Sequence, residues 1–159
     1  GLDTGRQTIA IINLLNKSMV KNAAIDYSFF TNYEFQKRYP LNALLEAGYR
    51  LTVKKDMLCV EIDLRFEPMK RNNIIATHYY FELIVLYGDP SKENSLRVET
   101  DQSLLYSFTE TYDVVCSMSL QVPKLKPWML VLKASCMEDN LPAHHPKYYG
   151  MKVVEVSKV

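Results

Sequence analysis

Residues 58–67 alternate between apolar and polar or small side chains along the chain. The apolar positions are Leu58, Val60, Ile62, Leu64 and Phe66. Successive side chains of a β-strand point to opposite faces of the sheet, so this pattern predicts a strand with one buried face and one charged face.

Further segments of the C-terminal two-thirds are also strand-like, and turn signals separate them. Segments 49–53 and 57–66 predict a hairpin around Lys54-Lys55-Asp56. The later candidates are 74–87, 96–99, 104–109, 112–122, 128–136 and 151–156. We therefore expect an antiparallel sheet or sandwich of about six to eight strands over residues ~50–158, or a strongly curled sheet.

Helical signals are confined to the first third of the chain. Residues 3–20 place apolar side chains at helical spacing behind the N-cap candidates Asp3 and Thr4. Pro40 opens a predicted short helix over 41–47, which Gly48 ends. The aromatic segment 25–37 lacks a clean period and is compatible with an irregular arm, a short helix or a short strand.

The fold class that follows is α+β and β-rich, with N-terminal helices packed on the sheet. We expect a single domain over 1–159, in which 1–48 is the helical and aromatic segment and 49–159 the β-rich body. The chain has 159 residues, of which 48% are apolar. A domain of this size can bury a sizeable core without disulfides or metal.

The net charge and the longest apolar run bear on two properties, nucleic-acid binding and membrane insertion. The formal net charge is +1 with both signs interspersed, whereas nucleic-acid binding usually needs a basic excess on one face, so we expect no nucleic-acid partner. The longest apolar run, 74–86, is interrupted by His78 and Glu82, and we expect no transmembrane segment.

Three cysteines, Cys59, Cys116 and Cys136, have no CxxC spacing, so we interpret them as reduced thiols that act as small hydrophobes, one of them on a polar face. Reduced cysteines favour an intracellular setting. The chain begins without Met, however, which is compatible with an upstream signal peptide removed by processing, so the compartment stays open.

Metal and catalytic chemistry have few candidates. His144 and His145 share a polar loop with Glu138 and Asp139, and imidazole and carboxylate groups are metal ligands. Adjacent histidines point in different directions on an extended chain, so we expect neither a metal nor a cofactor here. Nucleophile and phosphate-loop motifs are absent from the sequence, and we interpret His78 as a structural residue that hydrogen-bonds across strands. A hydrolase or metal-dependent enzyme is the last-ranked alternative.

Aromatic residues favour a binding role. The chain has 11 tyrosines, a residue type enriched at protein interfaces. We predict a non-enzymatic interaction or assembly domain that binds a protein partner or itself, with a small molecule not expected. The alternative is a carrier of an apolar ligand inside a curled sheet. The predicted partner-binding residues are Phe29, Phe30, Tyr33, Tyr148 and Tyr149.

Overall fold

A computed structural model describes residues 27–70, 75–89, 91–138, 141–142 and 148–158. Within these residues the chain forms two antiparallel sheets, so the β-rich antiparallel architecture is confirmed. The predicted helix over 3–20 lies outside the described residues. The strands are β1 (Arg50–Lys54), β2 (Met57–Asp63), β3 (His78–Tyr87), β4 (Arg97–Gln102), β5 (Tyr106–Ser107), β6 (Val115–Gln121), β7 (Trp128–Glu138), β8 (Leu141–Pro142) and β9 (Tyr149–Val156).

The smaller sheet has the strand order β1-β2-β6. Leu58, Val60 and Ile62 on β2 are fully buried, and Cys59 between them is only half-buried. β6 repeats the alternation, with every second residue buried. The period-two pattern therefore identifies the face that is removed from water as far as Leu64, whereas Phe66, predicted on the same face, follows the end of β2 and is 76% exposed.

The larger sheet has the order β4-β3-β7-β9, with the two-residue strands β5 and β8 attached to β3 and β7. Its central strands β3 and β7 are buried along nearly their whole length. A strand buried on both faces cannot show an apolar–polar alternation. This explains why both strands read as near-continuous apolar runs.

One face of the large sheet packs against the small sheet. This core joins inward side chains of β2 and β6 to those of β3 and β7. Its largest fully buried members include Leu58, Ile62, Phe81 and Leu83.

The other face of the large sheet is covered by an arm, residues 27–35. The arm starts with a 3₁₀ turn, Ser28–Phe30, and Tyr27 and Phe30 are fully buried against Ile84, Val131 and Val153. The Tyr27 hydroxyl donates a hydrogen bond of 2.9 Å to the Gly88 carbonyl oxygen. Of the three conformations open for 25–37, the described part combines the irregular arm with a single 3₁₀ turn.

Helix α1 spans Leu41–Leu44, so the prediction of a helix over 41–47 is corrected to a single turn. The helix stops because Leu45 leaves the helical conformation and forms an isolated bridge with Met69. Leu41 and Leu44 are buried in the core. The sequence predicts N-terminal helices packed on the sheet. Among the described residues, this single turn is the α-helical part of them.

The observed ends of several strands differ from the predicted ends by a few residues. β3 begins at His78, so residues 75–77 of the predicted strand lie outside it, and β7 continues to Glu138 into the predicted polar loop. β8 was not predicted. All three cysteines are free, and Cys116 and Cys136 are buried, which confirms their interpretation as small hydrophobes with Cys59 on the polar face.

Buried tyrosines predict a loss of stability at alkaline pH. Burial raises the pKa of Tyr79 from 10.0 to about 12 and also raises the pKa values of Tyr27 and Tyr106. The unfolded chain releases these protons at lower pH than the folded chain. The stability that they confer is therefore complete below pH 10 and is lost as the pH rises towards 12. We expect the free energy of unfolding to fall by about 1.4 kcal/mol per pH unit for each such tyrosine.

Urea unfolding across this pH range measures the slope. Tyr79→Phe is the control variant, because removing the phenol should reduce the slope by the contribution of one proton. An unchanged slope in this variant would contradict the assignment.

Candidate interaction surface

The arm bridges the edge of the large sheet at the middle of β9. Phe35 N–H donates to the Met151 carbonyl at 3.0 Å, and Val153 N–H donates to the Tyr33 carbonyl at 2.8 Å. Glu34 forms an isolated bridge with Lys152 between them. The arm thus acts as a short extra strand and satisfies main-chain groups that an edge strand would otherwise expose.

The edges at β4 and β6 lie beside each other. The Ser119 N–H on the outer side of β6 donates a hydrogen bond of 3.0 Å to a carboxylate oxygen of Asp101 on β4. A side chain of the large sheet therefore accepts a hydrogen bond from a main-chain N–H of the small sheet. This contact restricts access of another strand to either edge.

Among the strands longer than two residues β1 is the remaining edge, and in the described part of the chain no strand pairs with its outer side. Four of its five residues are exposed, and Leu51 is half-buried. The exposed fraction of Val53 is 46%. The exposure of these four residues is compatible with a further strand on this side.

The alternation of hydrogen-bonded residues in the small sheet shows which main-chain groups of β1 point away from the sheet. Leu64 N–H donates to the Val114 carbonyl and Val122 N–H to the Asp56 carbonyl, so even-numbered positions of β2 bond to β6. In an antiparallel ladder bonded and non-bonded pairs alternate, and odd-numbered positions of β2 bond to β1. These positions lie opposite Arg50, Thr52 and Lys54.

Leu51 and Val53 of β1 therefore direct their N–H and C=O groups away from the sheet. Both residues also place their side chains on the inner face, opposite the buried Val60 and Leu58. A strand added here would meet two donors, two acceptors and a partly exposed apolar row. This is the chemistry of β-strand addition.

The charges along β1 are basic. Arg50, Lys54 and the turn residue Lys55 are exposed, and the side chain of Arg50 is 75% exposed. Its guanidinium group lies 3.5 Å from a carboxylate oxygen of Glu61 on the neighbouring strand. Lys55 adopts a φ of +56° in the hairpin turn.

A groove of about 1600 Å³ opens at the end of the small sheet where β1 begins. The segments 64–70 and 107–111 line it together with the buried Tyr79, whose ring centre lies 4.9 Å from that of Phe108. Phe66 is 76% exposed on one wall. Glu46 and Ala47 also line the groove and connect to β1 within three residues.

The Asp63 carboxylate organises the wall that carries Phe66. It accepts hydrogen bonds from the Arg65 side chain at 2.8 and 3.0 Å and from the Arg65 main chain at 2.9 Å. These bonds lower the pKa of Asp63 to about 2. The Arg65 guanidinium lies 5.9 Å from the centre of the Phe66 ring. An exposed aromatic side chain thus follows a turn with defined hydrogen bonds.

The predicted partner-binding aromatics of the arm occupy different environments. Phe29 is 55% exposed, Phe30 is buried in the core under the arm, and Tyr33 is half-buried against it. The three are neighbours, since Phe30 makes edge-to-face contacts with Phe29 at 5.4 Å and with Tyr33 at 6.5 Å. In this arrangement Phe29 is the most accessible of the three.

The two predicted tyrosines near the C-terminus are both half-buried. Tyr149 starts β9, and its ring lies 4.7 Å from the Lys133 ammonium group. Tyr148 packs at the margin of the core between the sheets. Tyr149 also lies close to the arm, because Gln36, the residue that follows the arm, donates a side-chain hydrogen bond of 2.9 Å to the Tyr149 carbonyl oxygen.

The metal candidates His144, His145 and Asp139 lie outside the described residues, and Glu138 ends β7. Among the residues that the structure does describe, no three His, Cys, Asp or Glu side chains form a metal-binding group. His78 Nδ1 lies 2.9 Å from the hydroxyl of Thr77, the adjacent residue, rather than bonding across strands.

Sequence reasoning missed the pair Glu82 and Lys133, which lie opposite each other on β3 and β7 and are both buried. It also missed the open edge at β1. The hairpin was readable in the sequence, but nothing in its side-chain pattern indicates whether a third strand flanks it.

Comparison with protein-family models, with curated proteins and with solved structures found no match to this chain. None of the described helices has the length and apolar character needed to cross a membrane.

Proposed function

We propose that this protein is a non-enzymatic interaction domain that binds a partner protein by accepting one of its segments as an additional strand on β1. The open β1 edge carries the proposal, because Leu51 and Val53 direct main-chain groups outward from an exposed strand. The exposed Phe66 and the groove at the Arg50 end offer further contact area.

The expected affinity of strand addition is moderate. Each main-chain hydrogen bond contributes about 0.5–1.5 kcal/mol net, and Leu51 and Val53 provide four such groups. Coverage of the exposed Val53 adds apolar burial. Tight binding therefore requires the partner to contact surfaces beyond the edge as well.

The charges on β1 disfavour a second copy of this chain as the partner. Antiparallel pairing of two β1 strands over all five residues would place Arg50 of each copy opposite Lys54 of the other. Like charges directly opposite each other destabilise a strand pair. We therefore assign the edge to a different protein.

The alternative function, a carrier of an apolar ligand, requires an enclosed apolar cavity. The space between the sheets is occupied by fully buried side chains such as Leu58, Ile62 and Phe81. The groove is open and has Glu46, Lys70 and other polar residues on its walls. These observations favour partner binding over ligand carriage.

Peptide selection tests the proposal. We expect a random peptide library to yield extended binders whose affinity is lost in Val53→Pro. Proline removes the outward N–H at this position, and edge strands tolerate it because no ladder bond is lost. Val53→Ala is the matched control, since it shortens the side chain but retains the N–H.

Affinities are measured by fluorescence anisotropy, and circular dichroism verifies that both variants fold. Loss of binding in Val53→Pro with retention in Val53→Ala supports strand addition. Selected peptides that bind wild type and Val53→Pro equally well would refute it, as would a library that yields no binder.

A further inference from the structure

We infer that the β1 edge selects an acidic, antiparallel segment in which two carboxylate residues stand four positions apart and flank two apolar residues. This inference rests on the proposed function and specifies the partner. The pattern is acidic, apolar, any residue, apolar, acidic. It follows from the two faces of β1 and from the charges on them.

On the face of the small sheet that points away from the core, β1 carries Arg50, Thr52 and Lys54. These residues lie opposite Glu61, Cys59 and Met57 of β2, which point the same way. Directly opposite residues of an antiparallel pair share a face. The first and fifth residues of an added strand would therefore stand beside Lys54 and Arg50. Carboxylates at these two positions meet opposite charges.

The inner face of β1 carries Leu51 and Val53. Leu51 packs at the margin of the core between the sheets, and Val53 remains 46% exposed. The second and fourth residues of the added strand would lie beside these side chains and in the bonded pairs of the new ladder. Apolar side chains at these positions remove the exposed surface of Val53 from water.

Acidic residues near β1 reduce its basic character, and besides burial the charges of Glu155 and Glu34 raise the pKa of Tyr49, the residue before Arg50. Glu61 lies on the inner neighbour β2 and contacts Arg50 at 3.5 Å, and Asp56 lies in the hairpin turn next to Lys55. Neither stands on the outer side of β1, where the added strand would lie. Arg50 would then lie between Glu61 and the carboxylate of the partner.

The charge contribution at an exposed edge is modest. Individual exposed ion pairs change an affinity by a few-fold at most. For the two pairs, with Lys55 nearby, we expect about a tenfold difference between an acidic and a neutral peptide. Salt should reduce this difference, because the charges are exposed to solvent.

The test uses three labelled peptides that share the core Val-Thr-Val and carry Glu, Gln or Lys at both ends of it. Anisotropy titrations at low and high salt give the affinities, and amide chemical shifts of Leu51 and Val53 report the binding position. We expect the Glu peptide to bind about tenfold more tightly than the Gln peptide and the Lys peptide to bind least.

Charge reversal provides the decisive comparison. In Arg50→Glu/Lys54→Glu the preference should invert in favour of the Lys peptide. Lys92→Glu is the matched control, because Lys92 is an exposed lysine in the connection between β3 and β4, and it should leave the preference unchanged.

The outcomes separate the two levels of the proposal. If all three peptides shift the Leu51 and Val53 amides with equal affinity, the acidic preference is refuted and strand addition stands. If no peptide shifts these amides, both are refuted. Inversion in the double variant alone establishes the charge selection.

Discussion

Phe30→Ala is expected to lower the free energy of unfolding by about 3–5 kcal/mol, which is the usual cost of removing a buried phenylalanine. Phe30 is 1% exposed and packs with Ile84, Val131 and Val153 on the outer face of the large sheet. Its removal leaves a cavity between the arm and the sheet. The arm also bridges the middle of the β9 edge, so its loosening should expose main-chain groups of β9 there.

Phe29→Ala is the matched control for this prediction. Phe29 is the preceding residue, is 55% exposed and contacts the Phe30 ring edge-to-face. Its loss should cost no more than about 0.5–1.5 kcal/mol, the contribution of an aromatic pair. Urea unfolding measures both variants, and hydrogen exchange at Val153 N–H reports the β9 edge. Equal effects of the two substitutions would show that the arm does not form a core.

Gly88→Ala is expected to destabilise the protein by about 2–6 kcal/mol, from backbone strain and overpacking together. Gly88 has a φ of +120°, and a Cβ atom there would lie 2.5 Å from the Ser95 carbonyl oxygen. The Gly88 carbonyl also accepts the hydrogen bond from the Tyr27 hydroxyl, and its N–H donates to Pro127. A shift of this residue would therefore weaken the anchor of the arm.

Gly48→Ala isolates the conformational part of that effect. Gly48 also has a positive φ, +69°, but nothing lies within 4 Å of the Cβ position. We expect a cost of about 1–2 kcal/mol for the left-handed conformation alone. Thermal unfolding of the two variants compares them, and a cost at Gly88 no larger than that at Gly48 would contradict the close approach to Ser95.

The hairpin of the candidate site was predictable because all of its determinants are local. The alternation of Leu58, Val60 and Ile62 identifies the buried face of β2, and the turn around Lys55 places β1 beside it. Side-chain alternation also assigns Arg50 and Lys54 to the outer face. The acidic pattern inferred for a partner depends on these local features.

The arm was not predictable in the same way. Phe29 and Phe30 are adjacent aromatics, yet one is exposed and the other buried, because the 3₁₀ turn directs only Phe30 towards the sheet. Residues 33–35 pair with β9, more than 110 residues further along the chain. No local period reports a contact over that distance.

The sequence by itself determined which positions of β2 and β6 face the core, since buried apolar side chains alternate with more exposed side chains along both strands. Only the tertiary structure decided that the arm bridges the middle of β9, that β4 and β6 lie beside each other and that no strand of the described residues pairs with the outer side of β1. The physical reason is that the main-chain groups joining strands are the same at nearly every residue. Which of them remain unpaired therefore depends on the assembly of distant segments.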